Sequence, residues 1–242
     1  MRRFFINPAQ LHNNRGLITD QEARHISQVL RLKAGTHLEL FDGEGMVYQA
    51  EISAIHKATV ETQILSSQRY QATPPFLSVA QSLVKANKMD LIVQKATELG
   101  VAEIWPVISQ HCAVTSASAH QISRWQRIAH ESCKQCNRPM PLLIHETSTL
   151  SELYSRTHAS VAKIMLWENE ADTTLQDVNF TSSKHVSLLI GPEGGFSNAE
   201  AEAAIHHGFQ TVALGPRILR AETAAIAGIT ILQFLLGNLQ RP

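Results

Sequence analysis

Two short stretches near the C-terminal end gather residue types able to bind and act on a ligand. The first, Gly191-Pro192-Glu193-Gly194-Gly195, follows the apolar run Val186-Ser187-Leu188-Leu189-Ile190. The second, Gly215-Pro216-Arg217-Ile218-Leu219-Arg220, follows Thr211-Val212-Ala213-Leu214 and leads into Glu222. Each apolar run reads as a buried strand and each glycine-rich stretch as the loop at its carboxyl end, where open α/β sheets bind their ligands. Ser197 and Glu200 have capping-box spacing for a helix that ends at Gly208, and a further helix is predicted over 221–236.

The chemistry of these loops narrows the ligand. A strand, a glycine loop and a helix N-terminus ordinarily suit phosphate, because free backbone N–H groups and the helix dipole attract anions. Glu193 stands in the middle of the loop, and its carboxylate would repel phosphate at close range. No G-x-x-x-x-G-K-[ST] occurs, and the nearest approach to G-x-G-x-x-G, beginning at Gly43, lies on a predicted hairpin and ends in Tyr48. Nucleoside triphosphates and NAD fit poorly. A ligand with an adenosine body and a cationic centre, such as S-adenosylmethionine, suits backbone-rich loops with an acidic neighbour. Turn geometry alone explains the same glycines equally well.

The elements that must position these loops fall into two regions. Tyr70-Gln71-Ala72-Thr73-Pro74-Pro75 interrupts both ladder and helix, which divides the chain into domains at 1–72 and 73–242. Before the prolines, residues alternate with period two around Asp42-Gly43-Glu44-Gly45 and again at Val60, Thr62 and Ile64, as in a small β-barrel or sandwich. One helix interrupts the strands there, over 19–32, with Asp20 as its cap and Ile26, Val29 and Leu30 on one face. After the prolines, strands at 77–83, 102–108, 162–167, 186–190 and 211–214 alternate with helices at 90–99 and 123–137 and with the two helices above, which implies a parallel sheet.

Composition bounds the rest. The chain of 242 residues is 44% apolar and 17% charged, as in folded, water-soluble proteins. Its longest apolar stretch, 224–236, is interrupted by Gly228, Thr230 and Gln233, too short and too broken for a bilayer. The N-terminus lacks a signal-peptide core, and a cytoplasmic location is expected. Three cysteines, Cys112, Cys133 and Cys136, cannot make a disulfide framework, and C-x-x-C inside a predicted helix without a second ligand pair reads as ordinary thiols. Net charge is zero, but residues 1–138 carry +4 and residues 139–242 carry −4. The first 33 residues are locally basic through Arg2, Arg3, Arg15, Arg24, Arg31 and Lys33, a footprint for a polyanion or simply a solvated face.

The two loops, as Leu189-Ile190-Gly191-Pro192-Glu193-Gly194-Gly195-Phe196-Ser197 and Leu214-Gly215-Pro216-Arg217-Ile218-Leu219-Arg220-Ala221-Glu222-Thr223-Ala224, resemble the signature loops of the SPOUT superfamily of RNA methyltransferases. Further segments, Arg2-Arg3-Phe4-Phe5, Phe41-Asp42-Gly43, Lys95-Ala96-Thr97-Glu98-Leu99-Gly100-Val101 and Arg124-Trp125-Gln126-Arg127-Ile128, resemble the RsmE-type branch, which methylates uridine N3 in small-subunit (16S) ribosomal RNA. Ser132-Cys133-Lys134 departs from that pattern, where the branch more often has Ala and an acidic residue. The resemblance runs in order along essentially the whole chain. It implies an α/β architecture: an N-terminal PUA-like, RNA-binding β-barrel over 1–72 and a SPOUT methyltransferase domain over 73–242, a parallel sheet threaded as a trefoil knot. It also implies S-adenosyl-L-methionine as cofactor, a homodimer, and ribosomal RNA, free or in an assembled 30S particle, as partner.

Carried over by position, the cofactor would be lined by Leu166, Trp167 and Glu168, by Gly191, Pro192, Glu193, Gly194 and Gly195, and by Leu214, Gly215, Ile218 and Leu219. Uracil N3 is a poor nucleophile until its proton leaves, so the site must remove that proton or stabilise the resulting anion. Arg220 suits the second task, since its guanidinium stays charged and aims two donors. Glu222 or Glu193 could act as the base or orient that arginine, and no metal is called for. Arg2, Arg3, Arg24 and Arg31 are expected to contact RNA. The apolar face of the helix over 221–236 is either a dimer seam or a core face. The alternative function is a non-catalytic RNA-binding assembly factor of the same fold.

Overall fold

A computed structural model describes residues 2–156, 162–180 and 183–240. They fold as two compact units, the described residues of Met1–Ala72 with His130–Pro141, and those of Thr73–Ala129 with Leu142–Pro242.

The first unit is built on β1 (Arg3–Phe5), β2 (Leu11–His12), β3 (Arg15–Ile18), β4 (His37–Phe41), β5 (Met46–Ile55) and β6 (Val60–Arg69). They form one sheet in the order β1-β4-β5-β6-β3-β2, antiparallel except for the parallel pair β1 and β4. Alternate residues Phe4, Leu38, Leu40, Ala50, Ile52 and Val60 turn to a single core. A Cβ on Gly16 of β3 would stand 2.8 Å from Ile6 Cδ1, just past β1, so the two ends of the sheet approach across that core and the sheet curls.

The short helix α1 (Asp20–Arg24) runs into a π-helical turn at His25–Val29. This corrects the expected apolar face. Ile26 is fully buried, but Val29 is 70% exposed, because the wider π turn rotates it away from the core. Asp20 does not cap: Thr19 holds the N-cap position and donates its hydroxyl to Asp20 Oδ2. The segment 130–141 packs in this unit although the sequence division places it in the second domain. His130 meets Phe5 edge to face at 5.0 Å and Lys134 pairs with Glu22. Cys133 is buried there, and burial pushes its thiol up to about 12, so it stays protonated and unreactive.

The second unit contains β7 (Phe76–Ser82), α2 (Ala86–Glu98), β8 (Glu103–Ile108), most of α3 (Ala119–Cys136), β9 (Leu143–Ile144), β10 (Ser148–Thr149), α4 (Leu150–Arg156), β11 (Ala162–Leu166), β12 (His185–Ile190), α5 (Asn198–His206), β13 (Phe209–Val212) and α6 (Ala221–Leu235). All its strand pairs are parallel, in the order β10-β8-β7-β12-β11-β13, with β9 also on β8. Both faces are covered, which is why β12 is apolar at Val186, Leu188, Leu189 and Ile190, on both of its sides. Val186, Leu188 and Ile190 join one core with α2 and α6, whereas Leu189 turns to the other, with α4 and α5.

Helix α6 buries Ala221, Ala225, Ile229 and Leu232 at helical spacing, so the face open to two readings is a core face. Gly228 lets it close on the sheet, where a Cβ would stand 2.9 Å from Leu166 Cδ1. Buried Gln233 donates to Leu99 O at 2.7 Å, satisfying a carbonyl at the end of α2. From edge strand β13 the chain thus returns to lay α6 against β12 and β7. No helix among the described residues is long and apolar enough to cross a membrane.

Candidate active site

Because β11, β12 and β13 are parallel neighbours, their carboxyl ends share one edge, and the loops that follow them close round a cavity of about 650 Å³. Its walls include every residue expected there: Leu166, Trp167 and Glu168 from β11, residues 191–195 from β12, and Leu214, Gly215, Ile218 and Leu219 after β13. Arg217 of the second signature loop lines it too, as do Glu170 and Thr174, which no sequence signal marked. Trp167 presents a buried Nε1–H with no acceptor among the described residues, a donor left for a ligand.

The loop after β12 is held from both sides. Ser197 and Glu200 make the expected capping box, with Ser197 Oγ accepting from Glu200 N at 3.3 Å and Glu200 Oε2 accepting from Ser197 N at 2.9 Å. The other oxygen of Glu200 accepts from Gln110 N at 2.7 Å, which brings His111 alongside. His111 Nδ1 lies 3.0 Å from Gly194 O and 3.2 Å from Gly195 O; since carbonyls only accept, this nitrogen must carry the proton. Gly195 has φ +67, and a Cβ there would fall 1.7 Å from Glu168 Oε1. Glycine takes that φ without strain, and any Cβ would force the Glu168 carboxylate aside.

Arg220 and Glu222 sit at the start of α6 beside the cavity wall. Arg220 is the N-cap residue and exposed, with no ion pair among the described residues. Glu222 does not orient it. Instead, Lys88 of α2 places Nζ 3.2 Å from Glu222 Oε2 and 3.2 Å from Glu193 Oε1, joining the two signature loops through one cation. Burial opposes the charge on Lys88, but hydrogen bonds to Glu222 and Glu193 outweigh it and raise its pKa. Burial likewise opposes the charge on Glu193, and its own backbone N–H together with Lys88 hold its carboxyl below the usual range. Neither Lys88 nor His111 lies in a recognisable motif; both reach the site through chain reversals.

The arginines expected to contact RNA divide. Arg2, Arg24 and Arg31 are exposed. Arg3 corrects the expectation of a phosphate contact on an open surface: its side chain is 4% exposed, 3.1 Å from Glu39 Oε1 and 4.6 Å over the Phe41 ring. In-register pairing of Arg3 with Glu39 across β1 and β4 draws it in.

A parallel sheet covered on both faces, a glycine-lined cleft at its carboxyl edge and a separate curled sheet define an α/β RNA methyltransferase with a PUA-like companion domain. Residues 71–233 match the family model of the RNA methyltransferase domain and residues 18–65 that of the RNA methyltransferase PUA domain. The chain belongs to the ribosomal RNA small subunit methyltransferase E family. It is 36% identical over 219 residues to the member from Buchnera aphidicola subsp. Schizaphis graminum, covering 89% of this chain and 88% of that one. With the Rickettsia conorii member it shares 30% identity over 98% of this chain and 96% of that one. Among solved structures, the Neisseria gonorrhoeae member bound to S-adenosyl methionine superposes with a TM-score of 0.89 at 32% identity, covering 99% of this chain and 100% of that one. A Legionella pneumophila methyltransferase in complex with the same cofactor gives 0.84 at 30% identity, covering 96% and 97%.

Proposed function

We propose that this protein transfers a methyl group from S-adenosylmethionine to N3 of a uridine in small-subunit (16S) ribosomal RNA. The observation that carries this reading is the cleft of about 650 Å³ assembled from all three loops at one sheet edge. Its residues fit the cofactor: Trp167 offers an unspent N–H, the glycine loops offer backbone groups, and Glu168, Glu170 and Glu193 supply negative charge for a sulfonium. When bound, the cofactor supplies a methyl group already activated for in-line attack.

The chain's own residues then manage the uracil. Arg220 directs two donors at the carbonyl oxygens over which the N3 anion spreads, and Glu222, fixed by Lys88, accepts the N3 proton. Exposed Arg2, Arg24 and Arg31 position phosphates. The return of α6 beneath β12 and β7 supports a knotted path. Exposed Ile231, Phe234 and Leu235 on the outer side of α6 support a homodimer. A ribosomal RNA target places the work in the cytoplasm.

The test is transfer of labelled methyl from S-adenosylmethionine to 16S RNA, offered free and in 30S particles, with the product nucleoside identified. Arg220→Lys is expected to keep cofactor and RNA binding and to lower the single-turnover rate at least tenfold, about 1.4 kcal/mol of transition-state stabilisation. RNA binding without transfer to either substrate refutes the reading in favour of an assembly factor.

A further inference from the structure

The first unit holds a second cavity, of about 380 Å³, that methyl transfer does not use. Strand alternation explains its floor. Phe4 and Leu40 turn into the core, so Arg3 and Glu39, paired in register across β1 and β4, stand side by side on the opposite face. Gln68, Tyr70 and Asn137 form the polar part of the rim, and Val47 and Pro139 its apolar walls.

The floor is unusual in what it leaves unspent. The Arg3 side chain is 4% exposed, yet its Nε, though 3.1 Å from Glu39 Oε1, lies off the line of a hydrogen bond and is buried without an acceptor. A cation withdrawn from water with a donor unmet is unfavourable unless something supplies an acceptor. Glu39 accepts from Gln49 Nε2 at 3.1 Å and keeps further lone pairs. Tyr70, 48% exposed, offers a ring at the mouth.

We propose that this cavity takes one unstacked guanine of the RNA, an inference that rests on the RNA methyltransferase reading above. Guanine sets the acceptor O6 beside the donors N1–H and N2–H₂, matching arginine donors beside a carboxylate. Adenine lacks that pair of adjacent donors, and uracil flanks its single donor with two acceptors. Stacking on Tyr70 holds the base in the manner of single-stranded RNA recognition. The volume is at the small end for ligand pockets, right for one nucleotide and too small for a helix. Arg3 thereby reads a base, whereas the exposed arginines hold phosphates.

Tyr70→Ala and Asn137→Gly test this with little risk to folding, since both side chains are exposed and glycine tolerates the φ of +61 at position 137. Affinity for a small-subunit RNA fragment is measured by filter binding, S-adenosylmethionine affinity by calorimetry, and binding of GMP, AMP and UMP by NMR shifts of the Gln68 and Asn137 amides. Each variant is expected to weaken RNA binding at least fivefold with cofactor affinity unchanged, and GMP to bind at least fivefold more tightly than AMP or UMP. RNA affinity within twofold of the unsubstituted protein overturns the proposal. So does GMP binding with RNA affinity unmoved, which would assign the cavity to a free nucleotide, and so does equal binding of the three nucleotides. Absence of methyl transfer by the unsubstituted protein refutes the transferase reading and leaves these affinities as a separate measure.

Discussion

Gly195→Ala isolates the role of the loop after β12. At φ +67, any Cβ costs about 1–2 kcal/mol of folding stability. For a chain of this size that lowers the melting temperature by about 2–8 °C. The added carbon would lie 1.7 Å from Glu168 Oε1 and 2.8 Å from its Cδ, well inside contact distance. Glu168 is exposed and can swing aside, so the fold survives. However, Glu168 and Gly195 both line the cleft, and whichever yields reshapes the wall. A cofactor at one hundred times its dissociation constant stabilises the folded protein by about 2.7 kcal/mol; tenfold weaker binding at the same concentration leaves about 1.4 kcal/mol. Thermal denaturation with and without S-adenosylmethionine, backed by calorimetric titration, reads both effects. The expected outcome is a lower melting point alone and a roughly halved cofactor-induced rise. A lower melting point with an undiminished rise would remove this loop from the cofactor site.

Lys88→Met should lower the single-turnover methylation rate at least fivefold, with RNA affinity unchanged and Lys88→Arg restoring most of the rate. Because Lys88 helps hold the Glu193 carboxyl below its usual range, the acid limb of the rate profile should also move to higher pH; an unmoved limb and an unchanged rate would make the bridge merely structural. Glu103 governs a different property. Its carboxylate accepts from His145 Nε2 and from Ser78 Oγ, each at 2.7 Å, and chiefly the His145 hydrogen bond, against opposing burial, holds its pKa at about 2. A depressed carboxyl stabilises the fold above its unfolded pKa and loses that contribution as pH falls through the folded value. The melting temperature of the unsubstituted protein should therefore fall between about pH 4.5 and 2 more steeply than that of Glu103→Gln, and parallel curves would count against the pairing.

The elements round the cleft were legible because their signals are local. Five apolar runs in the second unit are long enough to be buried strands, and the Ser197 and Glu200 pair marks a helix start whose capping box forms as read. Where a signal depended on assumed helix geometry it failed: Val29 fits a 3.6-residue repeat, but the chain makes a π turn there. Arg3 looked like part of a basic surface because charge counts carry no depth. Its burial follows from the register of β1 on β4, between residues 36 positions apart.

What the sequence determined by itself is the five long strands of the parallel sheet with the main helices between them, the two glycine loops and the residue types that line the cleft, since period, capping and turn chemistry act over a few neighbouring residues; β1, β2, β3, β9, β10 and α4 carried no such signal. The tertiary structure alone decided which groups meet. Lys88 lies 105 residues from Glu193 and 134 from Glu222, yet joins both, and His111 grips the carbonyls of Gly194 and Gly195 from 83 and 84 residues away. Those contacts exist because parallel strands gather distant loops at one edge, and no short-range pattern encodes a crossover's return.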